Sequence, residues 1–448
     1  MQDNQLQKSI FHLTSVVTNY FPRAGAKFFD FTVLPIVGSS LLVHQIFERN
    51  RKFLGRAPFQ RILVIPDIHI GDAIMMQAAV QAFRDFFPEA RIDYVVKKSV
   101  AELIEGNPAI SHLYPLFTGT VFPTDEDVES IKKLIAENHY DLCLNCSPFF
   151  EDSRLFPEDQ KIINFMTVAP QLMMNEKNKT GINHFLFQAY EFVQKLLESN
   201  FNIRPFVSFT GVGLSLSDKA FEKAENFIST SGVPHGKPII FFNPDTASPY
   251  TFIPMSYQVE ILKKILAMDV SLLLGSGFTH AGVEQKLLES LSLEERQKVF
   301  VVPTSLPIDA YAALTDFADV FMTGDTGPLH IAAARKNSRS GHVKFKNKTF
   351  VSGIFGATPA RMSGYDSENP LFPPANQDAP SRTYVSQSPC RNITCVNKMA
   401  KTCESPKCFE VLDVDKIVRD VQHHLKTLKA PSAAWKSDQY RHVLRDAK

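Results

Sequence analysis

Cysteine is scarce in this chain, with six residues in 448. That excludes the dense disulfide framework by which small secreted domains make up for a thin core. A charge of one sign is lacking too: 48 Lys and Arg stand against 47 Asp and Glu, a net +1. No global field draws the chain to nucleic acid or to an acidic surface, and any electrostatic recognition has to be local. No charged, apolar, cleavable leader pattern opens the sequence, so a cytoplasmic location is expected. Long apolar runs are nearly absent. Phe28–Phe47 comes close to the ~20 residues that span a bilayer, but it carries Asp30, Pro35 and His44, which disfavour a span. It reads as a helical extension packed on the first domain, or as one lying on a membrane surface with Arg49, Arg51, Lys52 and Arg56 behind it. What is present, 44% hydrophobic and 21% charged residues, suffices for a large core, and at roughly 150 residues per domain it predicts two or three units.

From Arg61 the pattern becomes short apolar runs alternating with helical stretches. RILVIP, a periodic run over Ala73–Phe86 and RIDYVV form a strand, helix, strand unit. Tyr140–Leu144, Pro238–Phe242, Val270–Leu274, Val299–Val302 and Val320–Thr323 are short and continuously apolar, as suits strands of a parallel sheet covered on both faces. Helices are predicted over Ser217–Ser231, Ser256–Ala267, Gly282–Ser292, Pro307–Ala318 and Val414–Leu428. The alternation implies an open α/β sheet in each half. Polar, turn-forming residues over Asn200–Ser217 mark the boundary between halves, and Ser363–Ser388, rich in Pro, Ser, Asn and Asp, is predicted to be a long loop.

Two motifs sit where such sheets bind ligands, beyond the carboxyl ends of strands. In the first, Ile70, Gly71 and Asp72 follow the first strand and open a helix. Asp72 is placed to do chemistry there, or to cap the helix. In the second, Gly324, Asp325, Thr326, Gly327, Pro328, Leu329 and His330 follow an apolar strand and precede the small-residue run IAAA. A helix start of this kind offers backbone N–H groups to an anion, and glycine lets a diphosphate come close. Thr326 adds a hydroxyl, and His330, one turn on, can face the same ligand. Capping would explain the second motif about as well.

Taken together, RILVIPDIHIGDAIMMQAAVQAFRDFFPEARIDYVV, FFNPDTASPY, LPIDAYAALTDFADVFMTGDTGPLHIAAA and IFGATPAR occur in the order and spacing of the ADP-heptose:lipopolysaccharide heptosyltransferases, glycosyltransferase family 9, over roughly Arg61–Leu428. The resemblance implies an α/β GT-B fold, two Rossmann-like domains facing across a cleft. The expected divisions are an N-terminal helical extension over 1–56, an acceptor domain over 57–205, a nucleotide-sugar domain over 206–410 with a cysteine-containing loop, and a C-terminal helix and tail over 411–448. It further implies an inverting displacement without a catalytic metal or other cofactor. Asp72 would be the general base, and the backbone at Thr326 and Gly327, with His330, would hold the leaving diphosphate. Asp325 would hold the turn or contact sugar hydroxyls. His69 beside Asp72, together with Gly71, would orient the acceptor, and Glu284 would meet the donor ribose or base. The implied partners are a nucleotide-sugar donor, ADP-heptose above all, and a glycan or glycolipid acceptor, with peripheral contact at the inner face of the cell membrane.

The chain departs from the family where a lysine usually pairs with the donor phosphate; here the position holds Thr251. One candidate replacement is the insertion RKNSRSGHVKFKNK, six Lys or Arg and no acid over Arg335–Lys348, which either lends positive charge to the site or is a solvated loop. Cys390, Cys395, Cys403 and Cys408 have spacing compatible with a four-thiolate zinc or iron site, and cysteines near this point in autotransporter-modifying relatives make a protein acceptor the alternative substrate. Cys143 and Cys146 read as core residues. A rival of another class, prompted by Thr251, is a catalytically silent binding or scaffold protein of the same fold.

Overall fold

The computed structural model describes residues 59–67, 69–119, 123–147, 156, 162–164, 184–201, 209, 211–247, 251–337, 340, 349–356, 358, 360–369, 380–386, 409 and 411–428. The N-terminal extension with Phe28–Phe47, the four late cysteines and most of the basic insertion lie outside these residues.

Two all-parallel sheets organise the chain. The first holds β1 (Arg61–Ile65), β2 (Arg91–Lys97), β3 (His112–Phe117), β4 (Leu142–Asn145) and β5 (Ile162–Asn164) in the order β3-β2-β1-β4-β5. The second holds β6 (Ile239–Asn243), β7 (Ser271–Gly275), β8 (Val299–Val302), β9 (Val320–Gly324), β10 (Phe350–Phe355) and β11 (Ser381–Val385) in the order β11-β10-β9-β6-β7-β8. Both sheets start in the middle, add two strands on one side, then cross to the other side of the first strand. Their order reverses between β1 and β4 and between β6 and β9, the crevices where open α/β sheets take ligands. Central strands are buried on both faces: Ile62, Leu63, Val64 and Ile65 of β1, and Ile239 to Phe242 of β6, are fully covered, as their unbroken apolar runs predict.

The helices used below are α1 (Ile70–Met75), α2 (Gln77–Phe86), α3 (Asp125–Asn138), α4 (Phe185–Phe201), α5 (Asp218–Thr230), α6 (Met255–Leu266), α7 (Val283–Glu289), α8 (Ile308–Phe317), α9 (Gly327–Arg335) and α10 (Val414–Thr427). The polar stretch taken as the boundary falls between α4, which packs on α2 beside the first sheet, and α5, which packs on α8 beside the second. The final helix α10 packs on α6.

Two expectations are corrected. The helix predicted over Ala73–Phe86 begins earlier, at Ile70, and is broken at Met76 into α1 and α2. The stretch Ser363–Ser388 is not a loop throughout: β11 pairs with β10 in parallel register from Val351↔Ser381 to Phe355↔Val385. Thr383, Tyr384 and Val385 suit an extended edge, a signal outweighed in the sequence by the Pro and Asn around them. Among the described residues no helix is long and apolar enough to cross a membrane.

Candidate active site

Each of the two motifs stands at one of the reversal points. Asp72 lies in the first turn of α1, directly after β1, and the Gly324–His330 segment runs from the end of β9 into α9. Neither does the work of a cap. The N-cap of α1 is His69, which makes no side-chain capping bond. The N-cap of α9 is Thr326, again without a side-chain bond, while Asp325 turns aside to accept the Ser363 hydroxyl at 3.0 Å.

The two motifs meet. A Cβ placed on Gly71 would lie 2.7 Å from His330 Cδ2, and one on Gly327 would lie 2.9 Å from Ile70 Cβ. Both glycines are therefore there because α1 and α9 touch nearly backbone to backbone, an approach no larger residue permits. In the first turn of α9, the Leu329 amide closes onto the Thr326 carbonyl at 3.0 Å, and Pro328 has no N–H to give. Among the described residues the amides of Thr326 and Gly327 are thus left for a ligand, at the positive end of a helix.

Opposite this turn the first half presents Asp67, His69 and Asp72. His69 Nδ1 is 3.6 Å from an Asp67 oxygen and 4.0 Å from an Asp72 oxygen. Burial pushes the Asp72 carboxyl up to about 7, with repulsion from Asp67 and Asp325 adding to it and His69 opposing it. Although deep in the protein, the Asp72 side chain keeps 36% exposure, so a substrate can reach it. His69 is raised above its ordinary value, chiefly by its bond to Asp67. One ligand atom from each of the three residues falls within 4.8 Å of the others, close enough to gather round a cation. Burial, with the Asp67 carboxylate close by, leaves Asp72 able to accept a proton near neutral pH. Asp67 was missed in the sequence, although it follows the same strand in PDIHIGD.

The family model of glycosyltransferase family 9 (heptosyltransferase) matches residues 130–339, from the middle of α3 to just past α9. Over those residues, a little under half of its length, the chain is similar to that family. A Haemophilus influenzae protein provisionally described as a glycosyltransferase is 22% identical over 292 residues, 61% of this chain and 80% of its own length. The family 9 glycosyl transferase of Veillonella parvula superposes with a TM-score of 0.57 at 16% identity, covering 83% of this chain and 99% of the other. The E. coli ADP-heptose LPS heptosyltransferase II superposes with a TM-score of 0.53 at 14% identity, covering 82% and 98%. At these identities the structural likeness is one of fold, GT-B, and it agrees with the two sheets and their order. Asp72 lies ahead of the matched segment, so any role for it rests on geometry.

The remaining sites can now be placed. Thr251, where the family lysine was expected, is buried, and its carbonyl would lie 3.2 Å from a Cβ on Gly324. The position adjoins the Gly324–His330 turn, with a neutral residue in it. Glu284, at the start of α7, accepts the Gly277 amide on one carboxylate oxygen at 3.1 Å, so it shapes the loop after β7. Asp245, which the sequence reading passed over, shapes the same loop by accepting the amides of Phe278, Thr279 and His280 at 2.6, 2.7 and 3.2 Å. The basic insertion is corrected in part. Arg335 is fully buried and paired with Asp316 at 2.6 Å, and Lys336 is buried with its Nζ 3.4 Å from the Pro380 carbonyl. Two of its six charges face the interior; residues 338–339 and 341–348 lie outside the described residues. Cys143 and Cys146 are buried free thiols raised by burial, as core residues should be.

The contact of α1 with α9 carries its own test. Gly327→Ala forces Ile70 away from α9, and because a misplacement of about 1 Å at a reaction centre can cost roughly 100-fold, transfer should fall by about that factor with unchanged far-ultraviolet circular dichroism. Activity within twofold of wild type would show that α1 and α9 need not meet during turnover.

Proposed function

We propose that this glycosyltransferase moves a heptose, or a similar sugar, from a nucleotide diphosphate donor, ADP-heptose first among them, to a hydroxyl of a lipopolysaccharide core or related glycan. The observation that carries the reading is the juxtaposition of a carboxylate poised near neutral pH with two amides left open at the N-terminus of α9. The acceptor binds beside β1, where His69 and Gly71 border Asp72. Asp72 takes the hydroxyl proton as that oxygen attacks the anomeric carbon from the face opposite the diphosphate. The bond to the diphosphate breaks, the sugar carbon inverts, and the leaving group departs with its charge held by the amides of Thr326 and Gly327 and by His330. Asp325, tied to Ser363, holds the turn. Fixed donors of this kind stand in for a cation, so transfer should survive chelation by EDTA.

The family description, heptosyltransferase, and the likeness to the E. coli ADP-heptose LPS heptosyltransferase II support heptose and ADP. A cytoplasmic protein in peripheral contact with the inner membrane face would meet such a glycolipid acceptor. A silent binding protein of this fold is opposed by Asp72, since a scaffold has no use for a carboxyl held close to pH 7 beside an anion turn.

Calorimetric titration with ADP, ADP-heptose, UDP and GDP tests the donor. Adenine nucleotides should bind preferentially, and Asp325→Ala should weaken them roughly tenfold, the usual worth of one lost hydrogen bond, while Asp72→Ala leaves them nearly unchanged. Binding of none of the four would remove the donor reading.

A further inference from the structure

Behind the meeting point of α1 and α9 sits a buried group of three rings drawn from both halves of the chain. His330 Nδ1 and the Tyr365 hydroxyl are 3.0 Å apart, and the two side chains are 4% and 6% exposed. His184, fully buried just ahead of α4, packs on Tyr365 with ring centroids 4.9 Å apart. The Tyr365 ring is therefore gripped from the side of the first sheet while its hydroxyl reaches into the second. Burial holds both imidazoles neutral, lowering His330 to about 4 and, with repulsion from His330, His184 to about 3.

A neutral imidazole has one nitrogen that donates and one that accepts, and its neighbours decide which. Among the described residues the Tyr365 hydroxyl bonds only to His330. Were His330 Nδ1 the donor, the phenolic proton would be buried without an acceptor, the costlier arrangement. The hydroxyl therefore donates to Nδ1, and the His330 proton sits on Nε2. That edge of the ring faces the junction of the two motifs: a Cβ on Gly71 would lie 3.3 Å from Nε2 and 3.7 Å from the Gly327 Cα.

We propose that Tyr365 is a positioning residue for the transfer reaction, fixing His330 as the Nε2–H tautomer so that a third donor, beside the amides of Thr326 and Gly327, is aimed at the diphosphate. This rests on the diphosphate reading of the α9 turn. No sequence signal marked Tyr365, which lies 35 residues from its partner, or His184.

Long-range 1H–15N correlation spectra of protein labelled with 15N-histidine read the tautomer directly, with His330→Gln assigning the signal. Wild-type protein should show His330 protonated at Nε2, and Tyr365→Phe should show the Nδ1–H form or a mixture. In parallel, Tyr365→Phe should weaken ADP binding roughly tenfold, the loss expected for one hydrogen bond, and leave adenosine affinity unchanged. A variant that keeps the Nε2–H signal and its ADP affinity overturns the proposal. So does one that loses ADP and adenosine alike, the mark of a merely structural role. Wild-type protein that binds no ADP refutes the diphosphate reading, and the ligand assigned to His330 with it; that failure is separate because the spectrum reads the Tyr365 bond without any ligand.

Discussion

Asp72→Asn is expected to lower sugar transfer by about 100- to 10,000-fold, the range for a lost general base, while nucleotide affinity stays within a few fold of wild type. The same substitution should make the protein more stable at pH 8. The first follows from the base role proposed for Asp72, the second from burial, which raises its carboxyl to about 7 from its ordinary 3.8. In the unfolded chain the carboxyl ionises as pH rises through its ordinary value, while the folded chain keeps the proton until about pH 7. Over that window the unfolded state binds fewer protons, so wild-type stability falls as pH rises and then levels off. Asparagine has no proton to lose. The melting temperatures of the two proteins should coincide below about pH 4 and separate by pH 7, with the variant higher. Activity runs the other way, because the base works only when ionised. The kcat/KM of wild type should climb with pH to a bend at about 7. Behind Asp72 the Tyr94 hydroxyl and Cys146 thiol are held neutral by burial, so Asp67, His69 and Asp325 are the charges left to shape that bend. A variant with near-wild-type turnover would mean the acceptor proton leaves by another route. Equal stabilities at pH 8 would mean Asp72 ionises as an ordinary surface carboxylate.

How far the sequence could be read depended on whether a feature was local. The central strands were legible because burial on both faces leaves an unbroken apolar run, as in RILVI and IIFFN. The edges were not. β3 carries Pro115 and is exposed or half-buried at all but its last residue, and β11 follows a stretch dominated by turn residues. α3 announced itself in a form passed over, a Thr124 to Asp127 capping box, and α4 was also passed over. The same division holds at the site. Asp72 and the Gly324–His330 turn were found because each is a contiguous motif at a strand end. What the fold adds is their encounter, and no spacing of two segments some 250 residues apart encodes that Gly71 must make room for His330. Ser363, Tyr365 and His184 are brought beside the two motifs only by that encounter, whereas Asp67 lies in the first motif's own segment. The error over Arg335 has the opposite origin. In sequence it heads a basic run, and only packing shows that it ends α9 and points into the core.

Asp316→Ala is expected to destabilise the protein by roughly 3–5 kcal/mol, the cost of breaking a buried ion pair by removing one partner. Arg335 and Asp316 are 0% and 1% exposed, and Arg335 Nη2 meets the carboxylate at 2.6 Å. A second guanidinium nitrogen bonds the Leu214 carbonyl, and the group lies 5.6 Å from the centre of the Phe221 ring. Without Asp316 the cation keeps a carbonyl and a ring but no counter-charge, in a place water does not reach. Replacing both residues at once, Asp316→Leu with Arg335→Met, should cost much less, because no charge is then left buried. Urea titrations of the single and double variants measure the difference, and a double variant as unstable as the single one would assign the loss to packing. The consequence for function lies at the other end of the helix. Arg335 is the last residue of α9, and it ties α9 to α8 and to the chain ahead of α5. The first turn of the same helix carries the amides of Thr326 and Gly327 and the His330 ring. A rigid nine-residue helix anchored at its C-terminus transmits that anchorage to its N-terminus, where a shift of an ångström matters. Asp316→Ala should therefore also reduce nucleotide affinity under conditions where the protein is still folded, and the double variant should recover it in proportion to stability.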